Sequence, residues 1–305
     1  MKPRVLDFKA FDQGYDRQTH LLTFRGWVKF EDLSNDDHIF TWSDGVIDTE
    51  KVTDAYTKPY TGEMYHVVNR HIDLLCMPGT RIIARVRPHT RAKMSEKILA
   101  SRAETIKSSW QLQMPVCGIY PGMLDVLPSM AYSAGHWCSN VLREDAVAFD
   151  NDTVAALHEH IDDRDFSAMV TDEQKRLIPE FLKAYPDRNI TWEMLRWTIE
   201  ARKQLFYGLM DGNASQYEGA NVYIFLSTRE NRNDIFQAIA MSIGWRAHMS
   251  YGNGVFVTDK KQATTVYYKH KRHVLNWEGD VWNLRTDTGR IIVRRNYKIA
   301  IVSTL

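Results

Sequence analysis

The chain has little of what marks a secreted, membrane-spanning or metal-stapled protein. It carries three cysteines in 305 residues, Cys76, Cys117 and Cys138. They are far apart, odd in number and form no Cys-x-x-Cys pair, which speaks against a disulfide framework and a zinc site and for a reducing setting. No apolar run approaches the length of a membrane span. Met1-Lys-Pro-Arg is not followed by the apolar core of a signal peptide. A cytoplasmic protein without a membrane partner is the expectation. An excess of one charge is missing too: 39 Lys and Arg stand against 38 Asp and Glu, a formal net charge of +1. That balance does not call for nucleic acid by itself, although it can hide a basic face. The length allows about two domains with real cores.

What the chain does have is repetition. Tyr60-Thr-Gly62-Glu63-Met64-Tyr65-His66-Val67 and Trp277-Glu-Gly279-Asp280-Val281-Trp282-Asn283-Leu284 follow one pattern: aromatic, any residue, Gly, acid, apolar, aromatic, polar, apolar. An Arg-Ile-Ile-x-Arg strand follows each copy, at Arg81–Arg85 and Arg290–Arg294. The copies are separated by about two hundred residues. One pseudo-symmetric β-domain built from both termini, with a second domain inserted in its middle, accounts for this.

Short strands with turn residues between them are expected over residues 15–85, at Thr19–Phe24, His38–Trp42, Val46–Thr49, Met64–Val68 and Arg81–Val86. Ser43-Asp44-Gly45 is a hairpin turn. Residues 93–109 read as a polar helical connector. From about 115 the pattern turns α+β, with helical periodicity at 151–161, 172–184, 191–210 and 231–243. Strand signals sit between them at Val222–Leu226 and Gly254–Val257. The middle holds a second repeat. Ala131-Tyr-Ser-Ala-Gly135-His-Trp-Cys-Ser-Asn140 and Leu205-Phe-Tyr-Gly208-Leu-Met-Asp211-Gly-Asn213 are apolar helix ends with a glycine in mid-run and an asparagine five residues later. Packed side by side, two such helices would bring Asn140 and Asn213 together.

With these residues the chain resembles an intein carrying an inserted LAGLIDADG homing endonuclease. Gly14-Tyr-Asp16-Arg-Gln-Thr19 through Gly26-Trp27 resembles the opening block of an intein, and Met77-Pro78-Gly79-Thr80-Arg81 an inner one. Val281-Trp-Asn-Leu through Ser303-Thr304-Leu305 resembles the closing blocks. The resemblance implies a mixed fold. An N-terminal extension (1–14) precedes an all-β Hint-like (hedgehog/intein) domain in two parts (15–112 and 269–305), and a two-repeat α+β LAGLIDADG-like domain (113–268) is inserted between them.

It also implies chemistry that these residues no longer supply. An intein opens on Cys or Ser, which attacks the preceding carbonyl; here that position is Gly14, with 13 residues before it. The Thr and His that polarise the scissile amide fall on Met77 and Thr80, and neither is a general acid near neutral pH. The cyclising Asn falls on Thr304. The expectation is a splicing-inactive chain. In the endonuclease family an acid closes each motif and the pair holds divalent metal at the scissile phosphate. Here both positions are Asn, at Asn140 and Asn213, which bring no negative charge to Mg²⁺. Asp211 survives nearby. Two readings of the asparagines stand: they cap helix ends and strand starts, or they keep a residual metal site. No cofactor is expected, and Mg²⁺ enters only with residual nuclease activity.

Two classes of function follow. In the first, the chain binds duplex DNA, with cleavage impaired or lost. Its candidate contacts are the basic stripe Arg81, Arg85 and Arg87, whose alternation puts them on one strand face suited to phosphates and not to reading sequence; Arg229, Lys260 and Lys261 of the second α+β unit; and Lys269, Lys271 and Arg272 in a run that mixes aromatics with cations. The run reads equally as an exposed linker. In the second, the chain is a non-enzymatic structural or protein-interaction component reusing the scaffold, in the host cell of a phage or mobile element. Fold alone does not choose between them.

Overall fold

The computed structural model describes residues 12–89, 91–139, 171–216, 221–229, 231–250, 254–259 and 262–304. In chain order the strands of the first part are β1 (Tyr15–Asp16), β2 (His20–Thr23), β3 (Gly26–Lys29), β4 (His38–Ser43), β5 (Val46–Lys51), β6 (Asp54–Val68), β7 (Asp73–Cys76), β8 (Arg81–Arg87), β9 (Leu99–Arg102) and β10 (Gln111–Pro115). The middle contributes helices α1 (Pro128–Ser139), α2 (Asp172–Leu182), α3 (Ile199–Asn213) and α4 (Arg232–Ser242). Its strands are β11 (Ala214–Gln216), β12 (Val222–Phe225), β13 (Arg246–Met249), β14 (Val255–Thr258) and β15 (Ala263–Val266). The last part holds β16 (Lys271–Arg285), β17 (Arg290–Arg295) and β18 (Lys298–Ser303).

The protein is rich in strands, and its two ends are woven together. β6 and β16 form one long antiparallel ribbon in which Trp277 lies opposite Gly62, Glu278 opposite Thr61, and Gly279 opposite Tyr60. The first three residues of each copy of the sequence repeat therefore pair with those of the other, about a local two-fold between Thr61 and Glu278. The glycines have a steric cause. A Cβ on Gly62 would fall 2.6 Å from the Tyr60 hydroxyl, and one on Gly279 would fall 2.8 Å from the Trp277 ring. Each aromatic folds over the glycine two residues on, on the same strand face. The two rings meet at 6.2 Å between centroids. A bulge between Val274 and Trp277 interrupts the symmetry, with Asn276 at φ 55°. β1, β16, β6 and β7 close a small barrel.

Most other strands belong to one branched sheet. The run β11-β12-β14-β13 continues into β18, β17, β2, β4 and β5 through the pairing of His248 with Lys298. The middle of the chain is thus joined to the outer β-structure by sheet as well as by packing. One core holds Trp42, Ile47, Ile83, Ile292 and Ile301 together with side chains of α1, α3 and α4. A second lies under β8, β10 and β15, where Ala84, Val86, Leu112, Met114 and Val266 meet Tyr15, Leu21 and Trp282.

The Asp44–Gly45 turn forms between β4 and β5 with both residues at positive φ, 47° and 101°. The helical connector expected at 93–109 does not form. Leu99–Arg102 instead pairs with Arg81–Ala84 as β9, because the open edge of β8 offers backbone partners that an isolated polar helix lacks. The segment 191–210 is not one helix: a 3₁₀ turn over Trp192–Arg196 precedes α3. The helix expected at 151–161 lies outside the described residues.

α1 carries no Asp, Glu, Lys or Arg and is buried along most of its length, as a helix apolar all round must be. Proline at its first position suits a helix start. α1 and α3 meet backbone to backbone. A Cβ on Gly135 would fall against the Leu205 carbonyl and 2.9 Å from the Leu209 nitrogen, while one on Gly208 would fall against the Tyr132 carbonyl and 2.8 Å from the His136 nitrogen. One displacement along the chain relates all three pairs, Gly135 to Gly208, Tyr132 to Leu205 and His136 to Leu209. Gly212 meets Ser139 one turn further on, so the helices run the same way.

Candidate functional site

Three places concentrate the residues that the sequence singled out. The first is the junction before β1. Met77 and Thr80 end the turn after β7 and lie against Gly14. The Gly14 amide donates to Thr80 Oγ1 at 2.9 Å, the Thr80 hydroxyl reaches the Gly14 carbonyl at 3.2 Å, and the Met77 amide donates to the same carbonyl at 2.9 Å. Asn283 Nδ2 donates to the Gln13 carbonyl at 3.3 Å. The Gln13–Gly14 peptide bond is thus held at both ends by hydrogen bonds, and no nucleophile sits at residue 14. Thr304 lies elsewhere. Its amide donates to Gly289 O at 2.9 Å and its hydroxyl pairs with Thr286 Oγ1 at 3.2 Å. The link between the two ends is Tyr15, whose hydroxyl donates to the Ser303 carbonyl at 2.5 Å.

The second place is the end of the helix pair. Asn213, the last residue of α3, donates from Nδ2 to the Leu226 carbonyl at 2.6 Å. It therefore ties the helix end to the loop after β12. Asp211 accepts from the Tyr132 hydroxyl at 2.7 Å across the helix pair. Asn140 lies outside the described residues. Among the described residues no group of three His, Cys, Asp or Glu could hold a metal ion. Arg229 does not extend outward; its Nη1 donates to the Asp187 carbonyl. Arg232 is fully buried and donates to the Arg188 carbonyl, and burial lowers its pKa to about 10. Lys260 and Lys261 lie outside the described residues. The face of β12-β14-β13 turned away from the helices carries Val222, Ile224 and Phe256, with the Arg70 guanidinium 5.4 Å from the Phe256 ring. By the same register it also carries Ser215, Thr258, Arg246 and His248, so apolar and polar side chains are mixed on it.

The third place is the face of β8 opposite its core side. Ile82, Ala84 and Val86 point into the core, so Arg81, Arg85 and Arg87 point the other way. Ile83, between Arg81 and Arg85, is covered by the other core. β10 lies beside β8, with Gln113 opposite Arg85 and Gln111 opposite Arg87. β15 follows, with Thr265 opposite Gln113. Among the described residues none of the three arginines pairs with a carboxylate; Arg81 and Arg85 are exposed, whereas Arg87 is half-buried and its Nε is buried without a hydrogen-bond partner. A groove of about 150 Å³ at the edge of this face is lined by Arg85, Gln113, Gln262, Ile98, Trp42 and Asp44. Asp44 is its one carboxylate and pairs with Arg290 at 3.1 Å. The glutamines were not singled out in the sequence, although Gln111-Leu-Gln113-Met alternates as a half-buried strand does. Only the register with β8 sets them beside the arginines.

The remaining basic run divides. Lys271 Nζ donates to the Lys107 and Trp110 carbonyls at 2.9 and 2.7 Å, and burial lowers its pKa to about 8. It is a structural tie. Lys269 and Arg272 are exposed. A cavity of about 920 Å³ is lined by Asp16, Asp234, Arg294 and Arg295 among others, whose charges neutralise each other. Arg295 bonds Asp16 at 3.0 Å and Asp73 at 2.6 Å, and Arg294 bonds Asp234 at 2.6 Å. Burial pushes the Asp73 pKa upward, but hydrogen bonds from His66, Asn296 and Arg295 outweigh it and bring it to about 2.

No protein-family model matches the chain, and no curated protein matches it. Among solved structures the chain is similar to a splice-inactive variant of the AceL NrdHF class 3 split intein, at 7% identity and a TM-score of 0.41, over 96% of this chain and 98% of that one. A likeness of that size assigns neither activity nor ligand. No helix among the described residues is long and apolar enough to cross a membrane.

Proposed function

We propose that this protein is an intein-derived, splicing-inactive, homing-endonuclease-like protein that binds duplex DNA, with metal-dependent cleavage impaired or lost. The observation that carries the DNA-binding part is the open β8 face. Three arginines stand on one side of one strand, none of them paired with a carboxylate among the described residues, in a chain whose overall charge is balanced. Cations kept unpaired on a surface suit a polyanion, because each phosphate neutralised releases condensed counterions. The loss of cleavage is supported by Asn213, whose side-chain amide is spent on the Leu226 carbonyl and which brings no charge to a metal. The loss of splicing is supported by Gly14, which has no nucleophile where Thr80 and Asn283 hold the preceding peptide bond. Lys269 and Arg272 are secondary DNA contacts in this reading.

The test is an electrophoretic shift of a duplex by the full chain at low and at high salt, with and without Mg²⁺. A shift that weakens as salt rises, with the duplex left intact, supports the proposal. Efficient cutting overturns the cleavage part, and no shift at low salt overturns the binding part. A second reading, a non-enzymatic interaction component, is favoured by one feature. Met123, Leu124 and Leu127 are exposed within one short stretch before α1, and exposed apolar side chains gathered in one place mark contact surfaces. A protein partner recovered in pull-down, with no DNA shift, would favour it.

A further inference from the structure

Five basic side chains meet where the middle of the chain joins the outer β-structure. Arg70 and His71 stand on the turn between β6 and β7, Arg246 and His248 on β13, and Lys298 on β18 opposite His248. Arg246 and His248 are two apart on their strand and share a face. β14 adds Phe256 opposite His248 and Thr258 opposite Arg246, neither of them charged. Among the described residues none of Arg70, Arg246 and Lys298 pairs with a carboxylate.

The turn is held in place from two sides. Asn69 Oδ1 accepts from the His71 and Ile72 amides at 2.7 and 3.0 Å, and Lys298 Nζ donates to the Asn69 carbonyl at 2.8 Å. The Arg70 guanidinium lies 5.4 Å from the Phe256 ring, and the His248 ring stacks on the same ring at 5.3 Å. His71 Nδ1 and His248 Nδ1 are 3.2 Å apart. One donates and the other accepts, so both cannot carry a proton there.

Two nitrogens of the cluster lack what burial demands. Arg246 Nε and His248 Nε2 are buried without a hydrogen-bond partner. Arg246 Nε is always a donor. His248 Nε2 is a donor both in the tautomer that accepts from His71 and in the imidazolium that donates to it. A buried donor without an acceptor is costly, and like charges gathered without a counter-charge repel. Burial, then His71, Arg70, Arg246 and Lys298, lower the His248 pKa to about 3. The same cations make the histidine pair a poor place for a metal ion. An anion answers both the missing acceptor and the missing charge, and four oxygens let one ion accept from several donors. Exposure falls from Arg70, which is open to solvent, through the half-buried Arg246, His71 and Lys298 to His248, which is 3% exposed. Such a depth suits a small ion and not the backbone of a duplex.

We propose that Arg70, His71, Arg246, His248 and Lys298 form a site for a small tetrahedral oxyanion, phosphate or sulfate, which ties the β6–β7 turn, β13 and β18 together across the joint. The site is independent of the DNA-binding reading. A negative charge beside His248 favours its imidazolium, and by linkage a proton on His248 favours the anion. Binding therefore tightens as pH falls.

The experiment titrates the full chain with sulfate, a dianion throughout the range, in a calorimeter at about pH 7.5 and about pH 6, on either side of the ordinary histidine pKa. Sodium chloride holds the ionic strength constant, and sulfate stays below about 10 mM, too dilute for its general stabilising effect. Arg70→Gln and His248→Gln are titrated alongside, with melting curves to check folding. The parent should bind sulfate at a single site, more tightly at the lower pH. Arg70→Gln should bind about tenfold more weakly, the loss of one charged hydrogen bond, and His248→Gln should lose most of the pH dependence. Arg70 lies on an exposed turn, so its variant carries the test by itself if His248→Gln does not fold. No sulfate binding by the parent at either pH, or equal binding by Arg70→Gln, would overturn the proposal. Sulfate that displaces duplex from the parent and not from Arg70→Gln, read by fluorescence anisotropy, would make the site a nucleic-acid phosphate contact and overturn it too.

Discussion

Gly208→Ala tests the packing on which the middle of the chain depends. On an exposed helix this change is favourable by about 1 kcal/mol, because alanine costs less backbone entropy. Here the new Cβ would sit 2.8 Å from the His136 nitrogen and closer still to the Tyr132 carbonyl. Both are backbone atoms of α1, so no rotamer change can relieve the clash. The helices would have to part by roughly 1 Å, which forfeits a quarter to a half of the dispersion energy along the seam. Overpacking of this kind costs about 1–3 kcal/mol, and a backbone-on-backbone clash belongs at the upper end. The net expectation is a loss of about 2 kcal/mol, or about 4–8 °C in melting temperature. Gly135→Ala should match it, since its surroundings are the symmetric ones. Gly212→Ala is the control. There the clash is with the Ser139 side chain, its hydroxyl and its Cβ at 2.7 Å, and Ser139→Gly, which removes both, should relieve what loss remains. Urea unfolding followed by circular dichroism measures all four. A Gly208→Ala protein as stable as the parent would refute the backbone contact between α1 and α3.

Four further outcomes are expected. The purified chain should keep its full mass on long incubation with or without thiol, since residue 14 has no nucleophile; mass spectrometry showing a break before Gly14 or near Thr304 would contradict this. Asn213→Asp should cost about 0.5–1.5 kcal/mol in urea unfolding, because it replaces the donor to Leu226 O with a carboxylate facing a carbonyl, and by itself it should not confer Mg²⁺-dependent cutting. The pair Asn140→Asp/Asn213→Asp should bind Mg²⁺ or Mn²⁺ more tightly than either single change, read by calorimetry. Stability should also fall in mild acid. Burial, with His71 and Arg70 nearby, lowers the His248 pKa to about 3, so below the unfolded value near 6.5 the unfolded chain takes up a proton that the folded one refuses. The loss grows by about 1.4 kcal/mol per pH unit as pH falls from about 6.5 towards 3. His248→Phe should flatten the pH dependence of urea midpoints between pH 7 and 5, and parallel profiles would contradict the assignment.

Local rules made some features legible in the sequence. The Gly62/Gly279 repeat could be read because a strand glycine under an aromatic leaves a fixed spacing, and that spacing recurs. Gly135 and Gly208 could be read because helix crossing demands a small residue at one height. The Asp44–Gly45 turn could be read because positive φ restricts the residue type. What escaped was set by distant partners. The polar stretch Leu99–Arg102 becomes a strand only because β8 has an open edge. Lys271 resembles a surface cation until the Lys107 and Trp110 carbonyls are seen around it. Gln111 and Gln113 are ordinary on their own strand, and only the fold sets them opposite Arg87 and Arg85. The continuity of the middle sheet with the outer one, through His248 and Lys298, leaves no mark in the local pattern either.

The most direct measurement is the affinity of the full chain for a random-sequence duplex across about 50 to 200 mM salt, followed by fluorescence anisotropy, beside the same titration for Arg81→Ala/Arg85→Ala/Arg87→Ala. Binding by the parent should weaken linearly in log–log form as salt rises, and the triple variant should bind more weakly with a slope shallower by about two to three. Equal slopes for the two proteins, or a parent that leaves the duplex unbound at the lowest salt, would contradict the account.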